Sequence, residues 1–182
     1  MQDGNQLAQH PDRVAAAWDF AAHVHARQKV PGTKLPYLRH LGLVTLEIVS
    51  AHLSEPVADI ELALCCAILH DVVEDQAVEL QELEQYFGNA VAAGVAALSK
   101  DPSLPKAQAI ADSLARIAAQ PKAIWCVKLA DRISNLRGAP SHWPMDRIEA
   151  YREDSLQILQ TLGDAHGGLA KRLEMKIRTY PE

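Results

Sequence analysis

Apolar residues recur along this chain at three- and four-residue intervals, and no strand-like alternation persists beyond a few positions. That period predicts helices throughout. Asp12 is placed to cap a first helix in which Val14, Trp18, Ala21, Ala22 and His25 share a face. Pro31-Gly32, with Thr33 and Pro36, forms a turn-rich loop before a second helix from about Tyr37 to Leu53, its core face carrying Leu41, Val44, Ile48 and Ala51. Ser54 or Glu55 should open a third helix, with Pro56 at an early position where its missing N–H costs nothing. From Leu62 to Leu69 that helix is apolar on nearly every side, which marks it as the surrounded, central one.

Short helices at Glu79–Phe87 and near Asn89–Leu98 flank Gly88, and a loop at Lys100–Ser103 leads to a helix over Leu104–Ala119 ended by Pro121. Ala123–Leu136 reads as another buried helix, closed by Gly138 and Pro140. Two amphipathic helices, Met145–Leu162 and Leu169–Thr179, follow around Gly163 and Gly167-Gly168. There is no internal repeat and no linker long enough to divide the chain. The expectation is an all-α, single-domain helical bundle spanning 1–182, with its core at about 12–162 and a C-terminal helix at 169–179.

Composition changes this picture little. The 182 residues suit one domain, and 48% hydrophobic with 23% charged is a globular profile. A net charge of −5 argues against broad binding to nucleic acid or to an anionic membrane. It leaves room for a small anionic ligand, because a metal and a few bases outweigh a distant acidic surface. The longest apolar run is far shorter than the roughly 20 residues that span a bilayer. Met1 to Asp12 is polar, without the basic-then-apolar order of a signal peptide. Cys65, Cys66 and Cys126 lie in apolar stretches and match no disulfide or zinc spacing, so they read as buried free thiols of a cytoplasmic protein. A homo-oligomer is left open.

The residues that break the pattern carry the chemistry. The most hydrophobic segment ends in His70-Asp71, and a core helix does not finish in an imidazole and a carboxylate unless both have partners. Taken alone, the pair could simply serve the helix dipole and the next cap. His40, however, opens its helix among apolar neighbours, and Asp131 interrupts the run Ala123–Leu136 on a face shared with Lys128 and Asn135. Glu74-Asp75 follows His70 by about one turn. One divalent ion accounts for His40, His70, Asp71 and Asp131 together. Two nitrogen and two carboxylate donors suit manganese or iron, with zinc less favoured in the absence of cysteine. Such an ion polarises phosphoryl oxygens and lowers the pKa of water, which is what phosphate-ester hydrolysis needs.

This H…HD…D arrangement resembles the HD phosphohydrolase superfamily. Within it, the chain is similar to the small alarmone hydrolases and to the hydrolase domain of the long Rel/Spo enzymes. The resemblance runs from about Phe20 to Tyr151. It is most specific at Pro36-Tyr37-Leu38-Arg39-His40, at Leu69-His70-Asp71-Val72-Val73-Glu74-Asp75 and at Val127–Leu136 with its Lys-Leu-Ala-Asp and Asn-Leu blocks. It implies removal of pyrophosphate from the 3′ position of a guanosine or adenosine alarmone, (p)ppGpp or (p)ppApp. Glu74 and Asp75 would activate water and manage the leaving-group proton. Arg27, Lys29, Tyr37, Lys106, Lys128, Asn135 and Tyr151 would touch the nucleotide.

The chain departs from the family at two basic pairs. An adjacent Arg-Lys before Pro-Tyr is replaced by Arg27 and Lys29, in a shorter loop, and a pair after Lys106 by Ala109-Ile110. Fewer cations imply a weaker grip, at about 1.5–3 kcal/mol for each lost charge-assisted bond, and favour a relaxed or adenosine-type preference. Two rival functions are an HD phosphohydrolase acting on another nucleotide, such as a nucleoside monophosphate, and a sensor that binds a nucleotide without turning it over. The Glu-Asp pair speaks against both. Of the other histidines, His10, His23, His52, His142 and His166 read as surface or packing residues, and His25 stands out because it precedes the substrate loop.

Overall fold

The computed structural model describes residues 12–181, with the side chains of residues 106 and 107 outside that description. Helices make up the architecture: α1 (Arg13–Val24), α2 (Leu38–Ser54), α3 (Ile60–Leu69), α4 (Val72–Gln76), α5 (Leu80–Phe87), α6 (Asn89–Leu98), α7 (Lys106–Ala118), α8 (Lys122–Asn135), α9 (Met145–Leu162) and α10 (Gly167–Thr179), with a 3₁₀ turn at Gly163–Ala165. The all-α expectation holds among the described residues, where an isolated bridge between Lys29 and Pro36 is the extended pairing found. None of the described helices is long and apolar enough to cross a membrane.

The centre is α3. Every residue from Cys65 to His70 is buried, and α1, α2, α6 and α8 pack around it. Helix α8 packs in turn against α2, α3, α9 and α10. Thus α2, α3 and α8 meet one another, and the polar residues on their facing sides are forced together. Gly94 allows α6 to approach α3 and α8 closely: a Cβ there would stand 2.6 Å from Ile124 Cδ1 and 2.8 Å from Cys66 Sγ. All three thiols are buried and free, and burial pushes those of Cys65 and Cys126 up to about 11.

Three local expectations are corrected. Helix α3 opens at Asp59, whose carboxylate accepts from Leu62 N at 3.1 Å, and not at Ser54 or Glu55. The residues between are held outside a helix, where His52 Nδ1 accepts the Val57 N–H at 3.1 Å. Asp12 precedes α1 without a side-chain capping bond to it. Trp18 is 36% exposed; Ala17 and Ala21 take the core side of α1, and the indole reaches over Gly42 of α2 instead. Glu47, unmarked in the sequence pattern, is buried on α2 and bonded by Arg172 of α10, whose Nη2 donates to Oε1 at 2.7 Å.

Candidate metal centre

His40 lies in the first turn of α2, His70 caps α3, Asp71 precedes α4 and Asp131 sits in the middle of α8. Their packing brings His40, His70 and Asp131 into one group whose ligand atoms all lie within 4.8 Å of one another. Asp71 joins from the His70 side, with Oδ2 2.9 Å from His70 Nε2 and 3.6 Å from His40 Nε2. Asp131 Oδ1 is 3.4 Å from His40 Nε2 and 3.8 Å from His70 Nε2.

The donor atoms suit a divalent ion. The two Nε2 atoms face each other at 3.3 Å, while His70 Nδ1 is committed to Ala67 O at 2.9 Å and His40 Nδ1 lies 3.3 Å from Ser134 Oγ. An imidazole whose Nδ1–H is bonded to a carbonyl keeps its Nε2 lone pair for a cation. Without an ion, protons bear the load. Burial alone would depress the His70 imidazolium, but Asp71 and Asp131 outweigh it and raise the group to about 9. Burial likewise opposes the two carboxylates. His70 holds Asp71 below its usual range, and Lys128 followed by His40 and His70 does the same for Asp131.

Asp131 is oriented by its own helix. Lys128 Nζ donates to Oδ2 at 3.1 Å and Asn135 Nδ2 to Oδ1 at 2.6 Å, the face-sharing that the i−3 and i+4 spacing predicts. Tyr37 turns to the centre: its hydroxyl donates to Asp71 Oδ2 at 2.5 Å, and burial together with Asp71 pushes it far above the ordinary tyrosine range. Glu74 and Asp75 follow on α4. Glu74 is gripped by Lys100 through Nζ at 2.9 Å and the backbone N–H at 3.0 Å, and Asp75 accepts from Gln28 Nε2 at 2.7 Å.

His40 and Asp131 open onto a cavity of about 850 Å³. Lys128, Asn135 and Tyr151, three of the residues expected to touch the nucleotide, are among its lining. Arg27, Lys29 and Tyr37 are not among its lining residues; the same loop contributes Val30, Gly32 and Thr33 instead. Lys106 opens α7, but its side chain lies outside the described residues. Ala109 and Ile110 do line the wall, so the basic pair they replace would face the cavity. Arg39, Lys100, Arg137 and Arg147, not singled out as site residues from the sequence, also line the cavity and bring positive charge to it. In the chain they look like solvated surface cations, and only the cavity distinguishes them.

One wall is built as a ladder. The Arg132 guanidinium lies 4.1 Å from the Tyr151 ring centre, Tyr151 meets Trp143 edge-on at 5.3 Å, and the Arg147 guanidinium covers Trp143 at 4.1 Å. Burial raises the Tyr151 phenol to about 12 despite Arg132. The hydroxyl therefore stays protonated at neutral pH.

The HD domain family matches residues 17–168. The chain is 31% identical over 162 residues to the Danio rerio protein guanosine-3′,5′-bis(diphosphate) 3′-pyrophosphohydrolase MESH1, covering 86% of this chain and 87% of the relative. The Mus musculus protein of the same name is 30% identical over 177 residues, 94% of each chain. A solved structure of a metazoan ortholog of SpoT that hydrolyses ppGpp superimposes with a TM-score of 0.80 at 26% identity, over 93% of this chain and 96% of that one.

Proposed function

The chain belongs to the HD domain family, and from that premise we propose that it is a metal-dependent hydrolase releasing pyrophosphate from the 3′ position of a purine alarmone. Guanosine 3′,5′-bis(diphosphate), the compound in the relatives' names, is the first substrate to test. The adenosine counterpart is the second, because uncharged Ala109 and Ile110 replace a basic pair in the lining. The observation that carries the reading is the convergence of two imidazoles and two carboxylates at the edge of a cation-lined cavity.

His40, His70, Asp71 and Asp131 would hold a divalent ion, with manganese or iron preferred over zinc by the mixed nitrogen and oxygen donors. When bound, the ion polarises a phosphorus-bound oxygen and makes water more acidic. The protein's own groups then have defined tasks. Arg39, Arg137, Arg147 and Lys128 bind the phosphates, and Asn135 and Tyr151 approach the nucleoside. Water bonds to the phosphorus nearest the ribose as the link from that phosphorus to the 3′ oxygen breaks. One water proton passes to the Glu74–Asp75 pair, and the pair returns a proton to the 3′ oxygen. Lys100 and Gln28 keep those carboxylates in place through the bonds described above.

The test is turnover of both bis(diphosphates) by manganese-loaded protein, followed by release of pyrophosphate. Glu74→Gln should lose at least about 100-fold in kcat, the scale of an acid–base contribution, with bound metal unchanged. If neither nucleotide is consumed while wild type and Asp71→Ala bind them equally, the chain is a sensor and the hydrolase reading fails.

A further inference from the structure

Asp75 is held by a network whose root is buried. Gln28 Nε2 lies 2.7 Å from Asp75 Oδ2. An ionised carboxylate only accepts, so the amide nitrogen must face it. Gln28 Oε1 then points to His25 Nδ1 and to Gln76 Nε2, each at 2.5 Å, and both must donate. His25 therefore carries its proton on Nδ1. The ring is 1% exposed, and its Nε2 is buried without a partner among the described residues. Burial keeps the group below its ordinary value of 6.5, against smaller opposing effects of Gln28, Asp71 and Asp75. The ring stacks on Tyr37 with centres 5.1 Å apart and planes at 28°, and Tyr37 in turn bonds Asp71.

We infer that His25 and Gln28 form a positioning pair for the hydrolytic carboxylates: the buried His25, fixed as its Nδ1–H form, locks the Gln28 amide, and the amide sets the direction of Asp75. The same ring braces Tyr37 against Asp71, so one side chain registers Asp75 relative to the metal centre. Neither residue touches the reacting atoms. The inference rests on the reading of Asp75 as half of the acid–base pair, and on hydrogen-bond direction more than on shape. A residue that merely filled the space would work equally well as an apolar isostere.

Gln28→Leu preserves volume and removes the donor. It should lower kcat by about 10- to 100-fold, the effect of a small misplacement of a reacting group, with KM and metal content little changed. His25→Phe keeps the stack on Tyr37 but cannot donate, and should reproduce that loss. The double variant should be no worse than either single one, because both act through the same bond. Gln28→Leu should also cost nothing further in an Asp75→Asn background. A raised KM with unchanged kcat, or losses that multiply, would overturn the pairing. A second readout needs no turnover: the side-chain amide resonances of Gln28, followed by NMR in substrate-free protein, should move in Asp75→Asn, where the altered position is exposed, and in His25→Phe. If they move in neither, the pairing is absent. If they move while wild type consumes no bis(diphosphate), the hydrolase reading fails and the network stands.

Discussion

His40 Nε2 and His70 Nε2 face each other across 3.3 Å, and each lies within 4 Å of oxygens from both Asp71 and Asp131. Two imidazole nitrogens and two carboxylates directed at one point are the donors that a cation between them would satisfy. A divalent ion meets that need with four donors, and a proton meets it with far fewer bonds.

Chelation should therefore lower the melting temperature. A ligand present at about 100 times its Kd stabilises by about 2.7 kcal/mol, which for a chain of this size is a shift of roughly 5–10 °C. His70→Ala and Asp131→Ala should melt at the same temperature with and without added manganese, by calorimetry. A metal-dependent shift that survives in both variants would place the ion elsewhere.

Stability should also fall on mild acidification because of His25. Its burial holds the folded-state value below 6.5, with His70 adding slightly to the depression and Asp71 and Asp75 opposing it. Below pH 6.5 the unfolded chain takes up a proton that the folded chain resists, so unfolding becomes easier as pH drops. Well above 6.5 both states are deprotonated and the residue contributes no slope. Urea titrations between pH 7 and pH 5 should show the midpoint falling in wild type and falling less in His25→Phe. Parallel slopes would remove His25 as the cause.

Gly94→Ala tests the close approach of α6 to α3 and α8. The added methyl would meet Ile124 Cδ1 at 2.6 Å and Cys66 Sγ at 2.8 Å. Overpacking of this kind costs about 1–3 kcal/mol. Ile124→Val, which deletes the nearer of the two clashing atoms, should recover part of the loss when combined with it. No recovery in denaturant midpoint would mean that the backbone, rather than Ile124, absorbs the strain.

Helical periodicity made most of this fold readable. The ranges of α2, α5, α6, α8 and α9 follow within a residue or two: α2, α5 and α9 are packed on one face and wet on the other, while α6 and α8 are apolar runs, buried over most of their length and bounded by Gly88, Pro121 and Gly138. The start of α3 was not readable: Ser54, Glu55 and Asp59 all have capping side chains or neighbours in one dimension, and the structure puts the capping bond at Asp59 while His52 holds Val57 N–H outside the helix. At the site, His70-Asp71 and Asp131 were visible as polar interruptions of apolar runs. Arg39, Arg137 and Arg147 had no such contrast, since an exposed cation looks the same whether it faces solvent or a ligand. Gln28 was invisible for a similar reason: its role lies in which way its amide points, and the sequence carries no direction.

The ladder on the cavity wall has a consequence for how an anion is met. Arg132 and Arg147 each place Cζ 4.1 Å from an aromatic ring centre, so their planar groups are restrained before an anion arrives. The rotational freedom that a dangling arginine surrenders on capture is already gone, and that loss no longer weakens the encounter. Reach is lost in exchange. Such a wall would discriminate by the distance between charges on its guest, and replacing Trp143 by an aliphatic residue should leave the charge count intact while making the wall tolerant of the wrong length.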